Sequence, residues 1–402
     1  MRILHTSDWH LGQRFISQSR EAEQQMALDW LLEVIAAEKV DVLLVAGDIF
    51  DVGNPPLAAE EMYYRFLTRL RETCCRHAVI TAGNHDSPSR IDAPRGLLKA
   101  LQVHAIGAAG AADDQIIRIP DETGTTALIV AAVPFLRERD FRVTAVGETP
   151  EERIRRIQEG IAAHYHYIAE VVEHEQVPVV AMGHLFAKEA IAHEEQQNIY
   201  LGNLENIAAE DFPKRFNYVA LGHIHRMQPV GKMRHIRYSG ALIPLSFSEI
   251  TDTKGVLLLD TAGPFDPFDI RVVKAPVFRQ LLTLHGTLPE VEEALKAAHH
   301  PAHPLPAWVE VVLTGDPGMA MPDRHLRELA ADLHLEILKV KVERTASVLS
   351  EQVMADDLAS LTVEEVFLQR CQSKGINEEE TQLLRQDFQE LKTWMNDQDI
   401  HL

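Results

Sequence analysis

The stretch Val40-Asp-Val-Leu-Leu-Val-Ala46, which runs directly into Gly47 and Asp48, decides the fold of this chain. Its nearly continuous apolar character is typical of a parallel strand that other layers cover on both faces. A glycine and a carboxylate directly after such a strand lie at the carboxyl end of the sheet, where layered α/β proteins place their ligand sites. We therefore expect an α/β protein with a site beside Asp48.

The segments on either side of this strand have matching patterns. Arg2-Ile-Leu-His-Thr6 and the run from His77 to Thr81 are short and apolar, as strands are. Apolar residues at helical spacing extend from Arg20 to Lys39, and a second helix follows Asn54-Pro-Pro56. This alternation of strand and helix indicates layered α/β architecture.

The following segments predict a second sheet. Thr149-Pro-Glu-Glu152 predicts a helix start, because Thr can cap, Pro suits the first position and Glu the third. Strand patterns flank this helix and continue beyond it, at Thr126 to Val133, Pro178 to Met182 and Tyr218 to Leu221. We expect His235 to Tyr238 and Gly255 to Leu259 to complete the same second sheet.

The chain divides into three predicted parts, of which residues 1–273 are the domain just described. Residues 274–344 repeat the strand and helix patterns on a smaller scale and predict a small α/β unit. Residues 345–402 are helical and acidic, with twelve Asp or Glu against four Lys or Arg. Leu384, Phe388 and Leu391 share one face of this tail, which either packs on the protein's own core or docks onto a partner.

The composition excludes several classes of protein. A formal net charge of −21 argues against binding nucleic acid through overall charge. Three cysteines, Cys74, Cys75 and Cys371, do not make a disulfide framework or a zinc ribbon. No stretch approaches the roughly 18 apolar residues of a membrane span, and the N-terminus lacks a secretory pattern. We expect a reduced, cytoplasmic protein without membrane association.

Five predicted strand ends carry side chains that can bind a metal ion. These residues are Asp8, His10, Asp48, Asn84, His184, His223 and His225. Each motif alone is often an ordinary turn or a core histidine, but the accidental placement of donors after five strands is improbable. Oxygen and imidazole donors without thiolate suit manganese, iron or zinc. Seven ligands are too many for one tetrahedral ion, and they suit two ions about 3.5–4 Å apart. Asp48 is the best candidate to bridge them, because a carboxylate has two oxygens.

The order of these motifs resembles the signature of the calcineurin-type metallophosphoesterases. Its elements here are Asp8-x-His10, Gly47-Asp48, Gly83-Asn-His-Asp86, Gly183-His184 and Gly222-His-x-His225. Flanking residues, such as Ala46-Gly-Asp-Ile-Phe-Asp51 and Ala220-Leu-Gly-His-Ile-His-Arg226, resemble a bacterial branch of nuclease subunits within that family. The resemblance covers the chain nearly end to end.

The resemblance implies a fold and a set of roles. It implies a four-layer α/β/β/α phosphoesterase fold with a small α/β capping domain and a C-terminal helical tail. Asp8, His10 and His225 would hold one Mn²⁺ ion. Asn84, His184 and His223 would hold a second ion, and Asp48 would bridge the two. His85 matches the family's catalytic histidine. Asp51 stands where archaeal and eukaryotic relatives carry a histidine, so we expect Asp51, like Asp86, to orient His85 or a ligand.

The resemblance also implies an activity and partners. The activity would be Mn²⁺-dependent hydrolysis of DNA phosphodiesters, as a double-strand exonuclease and a single-strand or hairpin endonuclease, with Mg²⁺ as an alternative ion. Such subunits act in DNA repair, recombination and replication, at the nucleoid. The tail would dock onto a coiled-coil ATPase, in a heterotetramer that contains a homodimer of this chain. Any ATP dependence would come from that partner, because this chain has no Gly-x-x-x-x-Gly-Lys-Ser/Thr loop.

Two other functions remain open at this point. A phosphatase or cyclic-nucleotide phosphodiesterase would use the same dinuclear site, although it would not explain the tail or the small α/β unit. An inactive scaffold on this fold should have lost ligands, whereas all seven are present here.

Overall fold

The computed structural model describes residues 1–141, 149–192, 207–261, 263, 266–299, 304–315 and 321–343. Residues Met1–Val342 form one compact unit, and the predicted helices of the tail lie outside the described residues. Among the described helices, none has the length and apolarity that a membrane crossing requires.

The first sheet contains the strand that decides the fold. Its order is β14 (Asp269–Lys274), β13 (Gly255–Asp260), β1 (Arg2–Thr6), β4 (Val42–Ala46), β5 (His77–Thr81) and β6 (Val103–Ile106). The neighbouring pairs β1–β4, β4–β5 and β5–β6 are all parallel, whereas β13 is antiparallel to both of its neighbours. The carboxyl ends of β1, β4 and β5 therefore lie side by side at one edge of the sheet.

The second sheet faces the first and also has six strands. Its order is β11 (Gln228–Val230), β12 (Met233–Tyr238), β10 (Tyr218–Gly222), β9 (Val179–His184), β8 (Thr126–Ala132) and β7 (Ile116–Pro120). The strands β8, β9, β10 and β12 are parallel to one another. The core between the sheets is apolar, with Leu44 and Val79 from the first sheet and Val130 and Met182 from the second all fully buried.

Helices cover the outer face of each sheet. The helices of the described residues are α1 (Glu21–Glu38), α2 (Leu57–Leu70), α3 (Pro88–Asp92), α4 (Arg95–Ala100), α5 (Ala112–Gln115), α6 (Glu138–Phe141), α7 (Pro150–Val171), α8 (Leu288–Ala297) and α9 (Pro322–Ala330). On β4, Leu43 and Val45 pack with α1 and α2, while alternate residues face the second sheet. The predicted capping box of α7 is present, since Thr149 Oγ1 accepts from the Glu152 N–H. The four-layer α/β/β/α prediction is confirmed.

One strand assignment from the sequence is wrong. His235 to Tyr238 belongs to the second sheet as predicted, but Gly255–Asp260 lies in the first sheet, antiparallel to β1. Its residues from Val256 to Leu259 are buried on both faces, so an apolar run in this position does not reveal which sheet it joins.

A third, smaller sheet follows these layers. It consists of β15 (Leu281–Gly286), β16 (Ala307–Thr314) and β17 (Leu335–Glu343), with α8 and α9 packed on one face. We call this sheet with its helices the three-stranded unit. Near the N-terminus, a short hairpin of β2 (Arg14–Phe15) and β3 (Gln18–Ser19) extends towards this unit, where Gln18 donates to Glu336 at 3.1 Å. The three-part division at residues 273 and 344 stays a prediction.

Candidate metal centre

The structure brings the seven predicted ligands together at the facing edges of the two sheets. Asp8 and His10 follow β1, Asp48 follows β4 and Asn84 follows β5, which are three neighbouring parallel strands. His184 ends β9, and His223 and His225 follow β10, which are neighbours in the second sheet. Five carboxyl ends thus converge on one place, as the general position of sites in α/β folds predicts.

Several of these residues have unusual backbone conformations. Positive φ values, which residues with a Cβ rarely adopt, occur at Asp8 (52°), His10 (45°), Asp48 (49°) and His223 (105°). Such conformations cost of order 1–3 kcal/mol each and concentrate at functional sites. With these backbone conformations, the four side chains enter the site immediately after their strands end.

Glycines create the space in which the ligands meet. A Cβ at position 83 would overlap the Asp48 carboxylate, and a Cβ at position 222 would overlap the carbonyl oxygen of Ala46 and lie 2.9 Å from His184 Nδ1. The glycines that precede Asn84 and His223 are therefore required by the close approach of neighbouring loops.

One group of ligands consists of Asp8, His10 and His225, whose donor atoms all lie within 4.8 Å of one another. Asp8 Oδ1 accepts from the His223 N–H at 2.8 Å and Asp8 Oδ2 accepts from Ser7 Oγ at 2.5 Å, which fixes the carboxylate. His10 Nε2 is buried and makes no hydrogen bond to any described residue. A buried, unpaired imidazole nitrogen is costly unless a cation occupies the space in front of it.

A second group consists of Asp48, His184 and His223, again with donor atoms within 4.8 Å of one another. The Asn84 side chain completes it, because its Oδ1 lies 3.0 Å from His184 Nε2 and 3.0 Å from His223 Nδ1. Asp48, His184 and His223 are buried. Carboxylate, amide and imidazole donors form a set that suits divalent manganese, iron or zinc.

Asp48 lies between the two groups. Its Oδ2 is 3.1 Å from His184 Nε2 and 3.5 Å from His10 Nε2. Burial would raise the pKa of Asp48, but His184, His10 and His85 together hold that pKa well below its usual value. Burial likewise opposes the charged form of His184, yet Asp48 raises the pKa of His184 to about 9. Asp48 is thus an ionised carboxylate that faces both groups.

Hydrogen bonds fix the orientation of three of the imidazole rings. His184 Nδ1 donates to the Ala46 carbonyl oxygen at 2.9 Å, His10 Nδ1 lies 3.1 Å from Asp51 Oδ1, and His225 Nδ1 lies 3.0 Å from Glu249 Oε1. An acceptor on Nδ1 keeps the proton there, which leaves Nε2 as the ligand atom. The donor set, the orphaned His10 nitrogen and these ring orientations fit a dinuclear metal centre.

Sequence reasoning missed Glu249. This residue ends a short 3₁₀ turn, Phe247–Glu249, and is almost fully buried. Burial would raise its pKa, but Lys254 and His225 lower that pKa strongly. Lys254 Nζ contacts Glu249 Oε2 at 2.5 Å and donates to the His225 carbonyl at 2.9 Å. No apolar strand precedes Glu249, so the strand-end pattern that identified the ligands gives no signal here.

His85 lies beside the first group of ligands. Its backbone N–H donates to Asp48 Oδ1 at 3.0 Å, and its ring centroid lies 4.8 Å from that of His10. His85 Nδ1 donates to the Asp51 carbonyl oxygen at 2.7 Å. Asp51 therefore contacts both histidines, His85 through its backbone and His10 through its carboxylate.

Asp86 supports the loops and does not face the ligand groups directly. Its carboxylate accepts from the N–H groups of Gly83, Ile49 and Phe50 at 2.8–3.1 Å. Burial and the nearby Asp48 raise the pKa of Asp86 to about 6, although these three N–H groups act in the opposite direction. Asp86 thus ties the loop that carries Asn84 to the loop that carries Asp48.

Comparison with known proteins identifies the class. The family model described as calcineurin-like phosphoesterase matches residues 1–227, more than half of the chain. A second family model, described as type 5 capsule protein repressor C-terminal domain, matches residues 277–374. The fold and the first match define the protein as an enzyme, a metal-dependent phosphoesterase.

Relatives narrow the class further. The SbcD subunit of the nuclease SbcCD from Escherichia coli strain K12 is 36% identical over 96% of this chain and 97% of its own length. The corresponding protein of Rhodobacter capsulatus is 37% identical over 76% of this chain and 77% of its own length. A solved dimetal phosphatase from Danio rerio is 12% identical, with 69% of this chain and 99% of that chain aligned at a TM-score of 0.38. The chain belongs to the calcineurin-like phosphoesterase family and, within it, to the SbcD family of nuclease subunits.

Gly83→Ala tests the close packing of the centre. The added Cβ would collide with the Asp48 carboxylate, so we expect metal affinity to fall by at least about tenfold, as for displaced ligand supports. Isothermal titration with Mn²⁺ measures the loss. Gly96→Ala is the matched control, because a Cβ there meets no atom within 4 Å. Unchanged binding in Gly83→Ala would contradict the requirement for this glycine.

Proposed function

We propose that this chain is the DNA-cleaving subunit of an SbcCD-type complex. The activity would be Mn²⁺-dependent, with exonuclease action on double strands and endonuclease action on single strands and hairpins. Its role would lie in DNA repair, recombination and replication. The relatives are named as subunits of the nuclease SbcCD, which supports the nuclease class. A cytoplasmic, nucleoid-associated location stays a prediction.

One observation carries the proposal: two groups of ligands share the Asp48 carboxylate. Asp8, His10 and His225 would hold one ion, and Asn84, His184 and His223 the other. Asp48 Oδ2 lies within 3.5 Å of a histidine from each group. Two divalent ions, when bound, would supply positive charge to the phosphoryl group and a water of lowered pKa.

The chain's own groups would orient the substrate and move a proton. His85 is placed at the edge of the centre by its Nδ1–H bond to the Asp51 carbonyl. In its imidazolium form the His85 ring would carry a second proton on Nε2, which would pass to the departing ribose oxygen and leave the neutral ring, or stabilise the charge that develops there. Asp51 would act on this step indirectly, because it fixes the rings of His85 and His10.

The partners would be DNA, a coiled-coil ATPase of the SbcC type and a second copy of this chain. The name SbcCD of the relatives supports a two-component complex. The acidic tail, residues 345–402, would dock the ATPase, and residues 274–344 would cap the DNA. A homodimer of this chain would stand within a heterotetramer with the ATPase.

Asp48→Asn tests the bridge. The amide keeps the shape of the carboxylate but removes the negative charge that both groups share, so we expect both ions to be lost. Metal analysis after desalting from Mn²⁺ should fall from two ions per chain towards zero, and cleavage should fall by more than about 10²-fold. Retention of two ions per chain would refute the bridging role. Asp140→Asn, on the short helix α6, serves as the control.

His85→Gln separates chemistry from metal binding. Glutamine cannot carry the proton, so we expect Mn²⁺-dependent cleavage of a DNA hairpin to fall by about 10²–10⁴-fold while both ions remain bound. His104→Gln, on the edge strand β6, is the control. Cleavage at the parent rate would exclude the role given to His85. A parent enzyme that hydrolyses a nitrophenyl phosphate ester but no DNA would favour the phosphatase or cyclic-nucleotide phosphodiesterase alternative.

Leu384→Asp combined with Leu391→Asp tests the tail. Charges on the predicted apolar face should abolish co-purification with an SbcC-type ATPase, while Mn²⁺-dependent hydrolysis of a small phosphodiester stays at the parent rate. Gln389→Asp, outside that face, is the control. If the double variant still co-purified with the ATPase, the docking site would lie outside this face of the tail.

A further inference from the structure

The three-stranded unit is connected to the candidate metal centre by a continuous series of buried contacts. The series begins at Arg279, just before β15, whose guanidinium lies 4.0 Å above the Trp308 ring of β16. Arg279 Nη1 also donates to the Pro306 carbonyl at 2.6 Å. Arg279 is thus held on the three-stranded unit by a cation–π contact and a hydrogen bond.

The next contacts cross to the first turn of α1. Arg279 Nε donates to Glu23 Oε2 at 2.5 Å, and Glu23 Oε1 accepts from Arg20. Arg20 and Glu23 are both only 1% exposed. Burial lowers the pKa of Arg20, and the charges of Glu23 and, to a lesser extent, Glu249 act in the opposite direction. Because a buried charge without its partner is strongly unfavourable, these groups must remain together.

The peptide group between residues 244 and 245 then connects Arg20 to Glu249, which contacts a predicted ligand. Arg20 Nη1 donates to the Pro244 carbonyl at 2.6 Å, and the Leu245 N–H of the same peptide donates to Glu249 Oε2 at 3.1 Å. Glu249 Oε1 is the acceptor that lies 3.0 Å from His225 Nδ1. We call this series, from Arg279 through Glu23, Arg20, the 244–245 peptide and Glu249, the buried ladder.

A branch of the buried ladder reaches a second ligand of the same group. Arg20 Nη1 also donates to Gln13 Oε1 at 3.0 Å, and the Gln13 N–H donates to the His10 carbonyl at 3.0 Å. His10 and His225 both belong to the group with Asp8. None of these hydrogen bonds ends on a ligand of the other group.

Aromatic contacts follow the same route. The Phe15 ring of the hairpin stacks on Trp308 at 5.4 Å and meets the Phe247 ring edge-on at 5.0 Å. Phe247 belongs to the same 3₁₀ turn as Glu249. A cavity of about 350 Å³, lined by Glu23, Arg279 and Lys254 among others, lies beside the ladder.

We propose that Glu23, Arg20 and Arg279 are positioning residues that make one metal ion sensitive to the placement of the three-stranded unit. Displacement of that unit would separate Arg279 from Glu23. The buried cluster of charges around Arg20 would then lose one positive charge, and the 244–245 peptide that Arg20 contacts would shift. Glu249 would then no longer hold His225 in its ligand orientation. The affinity for the ion held by Asp8, His10 and His225 would fall. The affinity for the ion held by Asn84, His184 and His223 would not change.

Glu23→Gln is the test, and this inference rests on the proposed two-ion site. Titration of the full-length chain with Mn²⁺ should show one ion bound about tenfold more weakly and the other unchanged, since partners behind a ligand typically contribute 10–100-fold to affinity. Cleavage of a small phosphodiester should then need more Mn²⁺ for half-maximal rate, with kcat recovered at saturation. A purely structural role would lower the melting temperature without this split between the ions.

The chain offers a closely matched control at the other end of the same helix. Glu38 also pairs with two arginines, Arg2 and Arg271, but its side chain is 27% exposed and no hydrogen bond of the buried ladder involves it. Glu38→Gln should leave both Mn²⁺ affinities at the parent values. Arg279→Gln removes the end of the ladder that lies on the three-stranded unit. This variant should show the same split between the two Mn²⁺ affinities, and it is the test if Glu23→Gln does not fold.

The outcomes separate this inference from the proposed function. A parent that binds two ions, with both affinities unchanged in Glu23→Gln and Arg279→Gln, would overturn the role of the buried ladder and leave the two-ion site intact. Equal weakening of both ions would also overturn it, because the ladder reaches only one group. A parent that binds no Mn²⁺ would overturn the proposed function and this inference together.

Discussion

The architecture depends on a single buried carboxylate with histidines from both sheets around it. Asp48 lies between His10 of the first sheet and His184 of the second, and it is nearly inaccessible to solvent. A charge in this position is tolerable only where opposite charges and hydrogen-bond donors converge on it. The parallel strands provide that convergence, because their carboxyl ends meet at one edge of each sheet and the two edges face each other. The strained φ angles and the small glycines follow from the same requirement.

Local patterns in the sequence predicted layered α/β architecture, and the resemblance to the metallophosphoesterases implied the four layers. The prediction that the metal-binding side chains lie together depends on apolar runs that end in Gly-Asp, Gly-Asn-His or Gly-His. Such patterns remain visible in a single chain because each strand carries its own ligand at its own end. The assignment of Gly255–Asp260 to the second sheet was wrong for a related reason. Strands buried on both faces have the same composition in either sheet, and only the hydrogen-bonded register with β1 separates the two possibilities.

The supports behind the ligands were less predictable. Asp51 was expected to orient His85 or a ligand because it stands where archaeal and eukaryotic relatives carry a histidine, and the structure shows it in contact with both His10 and His85. Glu249 contacts His225 across 24 residues of chain from a turn without a strand pattern. Arg20 and Glu23 look like the polar start of an amphipathic helix in sequence, yet they are among the most buried charges described in this structure. Long-range pairing of charges leaves no periodic signal, so only the fold reveals it.

The two groups of ligands differ in what holds them. His184 is oriented by the carbonyl of Ala46, a main-chain group within the central strand β4, which cannot move without disturbing the sheet. His225 and His10 are oriented by the side chains of Glu249 and Asp51, which lie outside the two sheets. Main-chain support thus ties His184 to the sheet, whereas side-chain support links His225 to the buried ladder through Glu249. If two ions bind, the half near the three-stranded unit is therefore the one through which the rest of the molecule can influence catalysis.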